Sequence, residues 1–553
     1  MNKYIYFYYK AISKAISHRP HISSELLTLL VTILFTIMYN NAFWYEVLSR
    51  YDISEPRSAG IAILMLLIIT SLHFIVFLLF SFYWSAKIVL STLLLLASVV
   101  SYFTGSYGVY FDTTMLDNVL QTDTSEAQEL LTFGLLFHLL LYFIMPSMAL
   151  WRVNLKKTPW PKAAVRRLTY WLSGVAVLLV STILSYQDMS SLMRNNKELR
   201  YLITPGNYLV SMVKVLTSEA PSAHSPRLAV GADAVVEPSE GTNPKLLVIV
   251  VGEAVRAANW GLNDYQRQTT PELANLASVI NFKQVTSCGT STAVSLPCMF
   301  SLPGRRDYDK AYTRQHESLL DVLKRAGLNV MWIENQSGCK GVCDRVENWK
   351  ITADEYPQLC QEGRCLDEAL VYELSHQIKQ PTPDDKVIIL HQLGNHGPSY
   401  YQRYPSNFER FIPTCETADL SQCSQEEITN SYDNATLYTD HILSQIIEIL
   451  SNQSNYDASM IYLSDHGESL GEKGLYLHGI PYAIAPDEQT HIPMLWWLSP
   501  NFSQRESIDV RCLKEIAGNP ASHDNLFHSV LGLLNVSTMV YQDELDISKP
   551  CSN

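Results

Sequence analysis

Five apolar stretches, residues 26–42, 59–82, 88–103, 131–151 and 168–185, lie before residue 186 of this 553-residue chain, and no run of membrane length follows them. A helix needs roughly 20 mostly apolar residues to cross a hydrocarbon core of about 30 Å, and lipid admits no spanning structure other than a helix or a closed barrel. Residues 1–187 are therefore predicted to form a five-helix transmembrane domain, and five crossings place its two ends on opposite sides. The start of the chain is basic, with Lys3, Lys10, Lys14 and Arg19. So is the stretch between the fourth and fifth spans, with Arg152, Lys156, Lys157, Lys162, Arg166 and Arg167. The loop at 105–129 carries Asp112, Asp117, Asp123, Glu126 and Glu129 and no Lys or Arg. By the positive-inside rule the N-terminus is cytoplasmic, and the acidic loop and everything after the fifth span face outward. The first stretch exceeds a signal-peptide core, has no A-x-A-like site at its end and precedes four more spans, so it reads as an anchor.

All ten cysteines lie after residue 287. Disulfides persist outside the cytoplasm, so this distribution supports the same topology independently. Proximity suggests the pairs Cys288–Cys298, Cys339–Cys343, Cys360–Cys365 and Cys415–Cys423, leaving Cys512–Cys551. The rival reading gathers Cys339, Cys343, Cys360 and Cys365 into a zinc knot. A net charge of -13 argues against nucleic acid as a partner, and 47% hydrophobic residues exclude a disordered chain.

Residues 188–244 read as a bridge: a mixed-polarity stretch at 188–216 suited to a helix lying on a membrane surface, then a linker at 217–244 punctuated by Pro221, Pro226, Pro238 and Pro244. Residues 245–553 suffice for one large outer domain. Continuous apolar runs at 246–251, 330–333, 387–390 and 460–463 fit strands buried on both faces, and helix-like stretches at 318–326, 366–379 and 434–450 alternate with them. That alternation predicts an α/β domain with a mostly parallel sheet.

Ligands of such sheets bind beyond the carboxyl ends of the strands. The residues there are Glu253 after the first run, 335–340 after the second, His391 and His396 after the third, and Asp465, His466 and Glu468 after the fourth. Each alone reads equally as a helix cap or a surface group. Together they read as a metal site of the kind zinc takes, with imidazole and carboxylate ligands and one position kept for a reacting oxygen. Between Cys288 and Cys298 stand Thr290, Ser291 and Thr292, small hydroxyl residues at a helix start. Without a metal they are ordinary N-caps. Beside one, a coordinated hydroxyl becomes a nucleophile.

The motifs Val250–Arg256 (VVGEAVR), Ser287–Ala293 (SCGTSTA), Cys339–Cys343 (CKGVC), His391–Pro398 (HQLGNHGP) and Ser464–Ser469 (SDHGES) give the chain a specific likeness. It resembles the lipid A phosphoethanolamine transferases, including the mobile colistin-resistance enzymes, of the alkaline phosphatase and sulfatase superfamily. The resemblance spans nearly the whole chain. It implies a C-terminal alkaline-phosphatase-like (sulfatase-like) domain facing the periplasm from the bacterial inner membrane. It implies zinc held by Glu253, Thr292, Asp465 and His466, with Thr292 the residue that carries phosphoethanolamine. By the same resemblance His396 and His478 hold a second metal or the phosphate group, and Lys340 contacts substrate. One zinc site is expected, with a second as the alternative. Asn118, Thr122 and Glu126 recur every four residues and line one face if 115–130 is helical. The resemblance makes that face part of the lipid headgroup site, with Glu126 facing the ammonium, against the alternative of a solvated polar face. Gln336 stands where some relatives have Asn or Asp and is left out of the site.

The implied reaction moves phosphoethanolamine from phosphatidylethanolamine to a phosphate of lipid A, in a monomer, and confers polymyxin resistance. The nearest rivals keep the fold and change the acceptor to another envelope glycan or to glycerol phosphate, as in lipoteichoic acid synthases. A sulfatase would carry a Cys/Ser-x-Pro-x-Arg signature, which the nucleophile region lacks. A transporter or sensor with a non-catalytic outer domain is the distant alternative. Transporters show paired or interrupted spans, and the spans here are nearly free of charge.

Overall fold

The computed structural model describes residues 19–50, 54–122, 124–217, 227–238, 241, 243–361, 363–379 and 383–552. Lys3, Lys10, Lys14 and Asp123, and with them Pro221 and Pro226 of the linker, lie outside the described residues. The chain divides into two compact units, residues 1–113 with 132–215, and residues 114–131 with 216–553.

In the first unit four helices are long and apolar enough to cross a membrane: Pro56–Phe80, Ala86–Tyr107, Phe133–Arg152 and Trp160–Asn195. A bent pair, Ser24–Met38 and Asn41–Leu48, makes a fifth crossing if it counts as one span. The first span, expected over residues 26–42, is not one continuous helix: the chain turns by 56° after Met38. The cause is Asn40, whose side-chain amide donates to Phe35 O and Thr204 O, each at 2.9 Å, and accepts from Thr204 N at 2.8 Å. A side chain inserted into the helical ladder in this way is a recognised source of kinks. The last helix overruns its apolar core at both ends and packs along Pro56–Phe80. Gly174 allows that approach, since a β-carbon there would stand 3.2 Å from Ile75 Cγ1.

The acidic loop between spans is also corrected. It does not form one helix over 115–130 but two, Thr113–Gln121 and Thr124–Glu129. Thr122 sits in the break, its Oγ1 bonded back to Asn118 O at 2.8 Å. A threonine hydroxyl bonded back to the carbonyl four residues earlier competes for backbone groups and favours a break in the helix.

The second unit is built on an eight-stranded sheet with strands β1 Lys245–Gly252, β2 Val279–Thr286, β3 Asn329–Glu334, β4 Glu347–Lys350, β5 Lys386–His391, β6 Asp457–Ser464, β7 His491–Leu498 and β8 Pro520–Ser522. Their order across the sheet is β8-β2-β7-β6-β1-β5-β3-β4. Only β7 runs against the others. The four apolar runs of the sequence are the adjacent central strands β6, β1, β5 and β3, paired in parallel. Every residue of β1, β5 and β6 is buried, because apolar clusters cover both faces of the sheet.

The helix expected at 434–450 begins earlier, at Gln425, and runs to Ser451. A capping box of Ser424 and Glu427 starts it. From Asn430 onward it is polar yet buried: Asp433 receives Asn259 Nδ2, Tyr265 and Arg267, and Asn434 receives the backbone N–H groups of Arg410 and Phe411. The structure joins Cys288–Cys298, Cys339–Cys343, Cys360–Cys365, Cys415–Cys423 and Cys512–Cys551 as disulfides. That pairing sets aside the zinc-knot alternative.

Candidate metal and nucleophile site

Strand register builds the site. Ser464 pairs with Gly252, and His391 pairs with both Val251 and Glu334, so the carboxyl ends of β6, β1, β5 and β3 are level. The next residues on β1 and β6, Glu253 and Asp465, emerge side by side, with Asp465 N bonded to Gly252 O at 2.8 Å. The loop after β5 lies directly on Glu253: a β-carbon on Gly394, at φ +52°, would stand 2.7 Å from Glu253 O, so that close approach requires glycine. Ala254, with φ +57°, is a non-glycine residue held in the left-handed region immediately after Glu253.

Glu253, Asp465 and His466 are all 0% exposed. Their ligand atoms lie within 4.8 Å of one another. Thr292 opens the helix Thr292–Met299, and its Oγ1 donates to Glu253 Oε2 at 3.0 Å and lies 3.4 Å from His466 Nε2. Of the three candidate hydroxyls, Thr290 is spent on Ile480 O at 2.7 Å. Thr292 is the one directed at the carboxylate and imidazole.

These residues fit a metal ion. Asp465 Oδ1 is occupied by the N–H groups of Ala254 and His466, whereas Asp465 Oδ2 and Glu253 Oε1 are buried and face no donor other than His466 Nε2. His466 Nδ1 donates to Gly467 O at 2.8 Å, which leaves Nε2 facing Glu253 Oε1 at 3.3 Å and Asp465 Oδ2 at 3.5 Å. Two orphaned carboxylate oxygens and a free imidazole nitrogen converging beside a hydroxyl form a zinc-type donor set.

Without metal, the group must balance its own charge. Burial disfavours an imidazolium, yet Asp465 and the bond to Glu253 push His466 up to about 10. Burial likewise opposes ionisation of Glu253, but the hydrogen bond and charge of His466 hold that carboxyl well below its ordinary range. Burial and the neighbouring Glu253 push Asp465 upward.

Two further histidines adjoin this cluster. The His478 ring centre is 4.4 Å from that of His466 and 5.7 Å from that of His396. Burial drives the pKa of His396 down. His478 Nδ1 lies 2.8 Å from Glu468 Oε2, and Tyr400 donates to the other oxygen of Glu468 at 2.7 Å. Lys340 directs its ammonium to Ser337 O and Oγ of its own turn. Asn118 and Met115 lie against Gly479, next to His478. The side chain of Glu126 lies outside the described residues.

Gln336, left out at the level of sequence, belongs to the site: its Nε2 donates to Glu253 Oε2 at 2.9 Å. Its backbone N–H is fixed by Glu334, which also meets His391 Nδ1 at 3.0 Å. The available signal was position, two residues past the end of β3. Supporting groups of this kind typically contribute 10- to 100-fold to metal affinity. Gln336→Ala is therefore expected to weaken zinc binding about tenfold, read by competition with a chromophoric chelator, with the thermal midpoint little changed.

A profile of the family described as Sulfatase matches residues 245–536, and one described as Phosphoethanolamine transferase EptA/EptB matches residues 69–220. The chain is 38% identical to the phosphoethanolamine transferase EptA of Salmonella typhimurium, across 96% of this chain and 98% of that protein. It is 37% identical to the phosphatidylethanolamine transferase Mcr-1 of Escherichia coli, across 87% and 90%. Among solved structures it matches the integral membrane lipooligosaccharide phosphoethanolamine transferase A of Neisseria meningitidis with a TM-score of 0.93 and 38% identity, across 97% of this chain and 100% of that one.

Proposed function

Because the chain belongs to the EptA/EptB phosphoethanolamine transferases, we propose that it moves phosphoethanolamine from phosphatidylethanolamine to a phosphate of lipid A through a covalent intermediate on Thr292. The observation that carries the reading is Thr292 Oγ1 at 3.0 Å from Glu253, inside a buried cluster with Asp465 and His466. In the first half-reaction Thr292 Oγ attacks the phosphorus of the donor. The bond to the glycerol oxygen breaks, diacylglycerol leaves with a proton, and phosphoethanolamine stays esterified to Thr292. In the second, a phosphate oxygen of lipid A attacks the same phosphorus and Thr292 departs.

Glu253, Thr292, Asp465 and His466 would hold zinc, which when bound lowers the pKa of the threonine hydroxyl and offsets charge around phosphorus. Glu253 Oε2 accepts the Thr292 hydroxyl proton in the resting arrangement. His478, oriented through Nδ1 by Glu468, presents Nε2 to the phosphoryl group and supplies the proton that the leaving glycerol oxygen needs. His396 lines the same space beside the phosphoryl group; a second ion held by His396 and His478 is the alternative to that phosphate-binding and proton-donating role. Lys340 contacts substrate from its own turn, and Asn118, Thr122 and Glu126 take the donor headgroup. The basic stretch at 152–167 and the five disulfides support an inner-membrane enzyme with a cytoplasmic N-terminus and a periplasmic catalytic domain, which we take to act as a monomer. Adding an ammonium to lipid A weakens its attraction for cationic peptides such as polymyxin.

The test is mass spectrometry of lipid A from bacteria expressing the chain, with the intact mass of the purified protein measured after exposure to phosphatidylethanolamine. Lipid A bearing one added phosphoethanolamine, and protein heavier by the same group, are the expected results. Unmodified lipid A in cells that make folded protein overturns the acceptor.

A further inference from the structure

Residues 114–131, which lie in sequence between two membrane helices, are part of the catalytic unit and are fastened near both ends. Near the start Asp117 forms an ion pair with Lys310, and Met115 and Asn118 lie against Gly479, the neighbour of His478. At the end Glu129 receives two guanidiniums, Arg364 Nε on Oε1 and Arg403 Nη2 on Oε2, each at 2.7 Å. The side chains of Glu129, Arg364 and Arg403 are 13%, 12% and 0% exposed. Arg403 then donates from Nε to His396 O at 2.7 Å. One end of the segment is thus tied beside His478 and the other, through a single arginine, to the backbone of His396.

A carboxylate shared between two buried guanidiniums is a costly way to hold a loop, since apolar packing of similar volume serves stability as well or better. What the arrangement adds is geometry. Guanidinium–carboxylate bonds are short and directional, and the planar fork fixes orientation as well as distance. We propose that Glu129, Arg364 and Arg403 form a positioning clamp that fixes the 114–131 segment as one wall of the donor-headgroup site, beside His396 and His478. The clamp rests on the donor assignment above. It touches no reacting atom and acts through the residues that the segment carries, Asn118 among them. A wall held in register lowers the cost of binding the headgroup and leaves the chemical step at Thr292 unchanged, because preorganisation is expressed in binding.

The experiment uses the full-length enzyme in detergent micelles, with phosphatidylethanolamine at varied surface concentration and saturating lipid A. Glu129→Gln removes charge with little change of shape, Arg364→Gln removes the charge and the guanidinium fork, and Arg364 is the less buried of the two arginines. Each is expected to raise KM for phosphatidylethanolamine about tenfold while kcat stays within about threefold, the signature of lost binding rather than lost chemistry. The double variant is expected to be no worse than the poorer single one, because both changes break the same unit. Zinc content and thermal midpoint are read alongside, and if Glu129→Gln fails to fold, Arg364→Gln carries the test. A rise in KM below about fivefold in the folded variants overturns the clamp. Wild-type protein that transfers nothing to lipid A defeats the proposed function instead, so the two failures are distinguishable.

Discussion

Thr292→Ala is expected to lower transfer of phosphoethanolamine to lipid A by about 10⁴-fold or more, as removal of a covalent nucleophile does, while most of the bound zinc remains. The loss is chemical. Thr292 supplies the only oxygen of the 290–292 triplet that meets the carboxylate and imidazole of the cluster, Thr290 being tied to Ile480 O. The zinc survives because Glu253, Asp465 and His466 are positioned by the ends of β1 and β6 and by their own backbone bonds, none of which runs through Thr292. Thr292→Ser keeps the oxygen and removes one methyl group, so a measurable fraction of transfer should return. Intact-protein mass after incubation with phosphatidylethanolamine separates the steps: the alanine variant should never gain the mass of the group. An alanine variant that still modifies lipid A would place the nucleophile elsewhere.

The sequence revealed what burial writes into composition and concealed what hydrogen bonding arranges. β6, β1, β5 and β3 were legible because strands buried on both faces must be apolar without interruption. β7 was not, because Pro493 interrupts it; the structure absorbs the proline where the register shifts between Ile492 and Met494. The first half of the 425–451 helix was hidden for the opposite reason: Asn430, Ser431, Asp433 and Asn434 are polar and nonetheless buried, each bonded to a loop. In the site, Glu253, Asp465 and His466 could be found from chemistry at strand tips. Gln336 and Glu468 also stand just past strand ends, Glu468 among the strand-tip candidates, but that they act on Glu253 and His478 is a pairing no spacing rule signals. Asn40 bends the first span through a partner 164 residues away, beyond the reach of any local pattern.

Removing the metal with a chelator is expected to abolish transfer and lower the thermal midpoint by several degrees, with both restored by stoichiometric zinc. Glu253 and Asp465 are fully buried, and each keeps an oxygen that meets only His466 Nε2, so the stripped site holds two carboxylates against one histidine. A ligand that binds only the folded state at about 1,000 times its Kd contributes about 4 kcal/mol, enough to move the midpoint visibly in a domain of this size. The effect carries a pH signature. In the metal-free protein His466 is pushed from its ordinary 6.5 up to about 10. A group raised in the folded state lends stability that is complete below 6.5 and is lost as pH climbs toward 10. Zinc and that proton compete for the same Nε2, so raising the pH weakens the stripped fold and strengthens metal binding together. The gap between zinc-loaded and stripped midpoints should therefore widen from pH 6.5 upward. A gap indifferent to pH across that window would mean that His466 is not a ligand, and full activity in exhaustively stripped protein would mean that no metal activates Thr292.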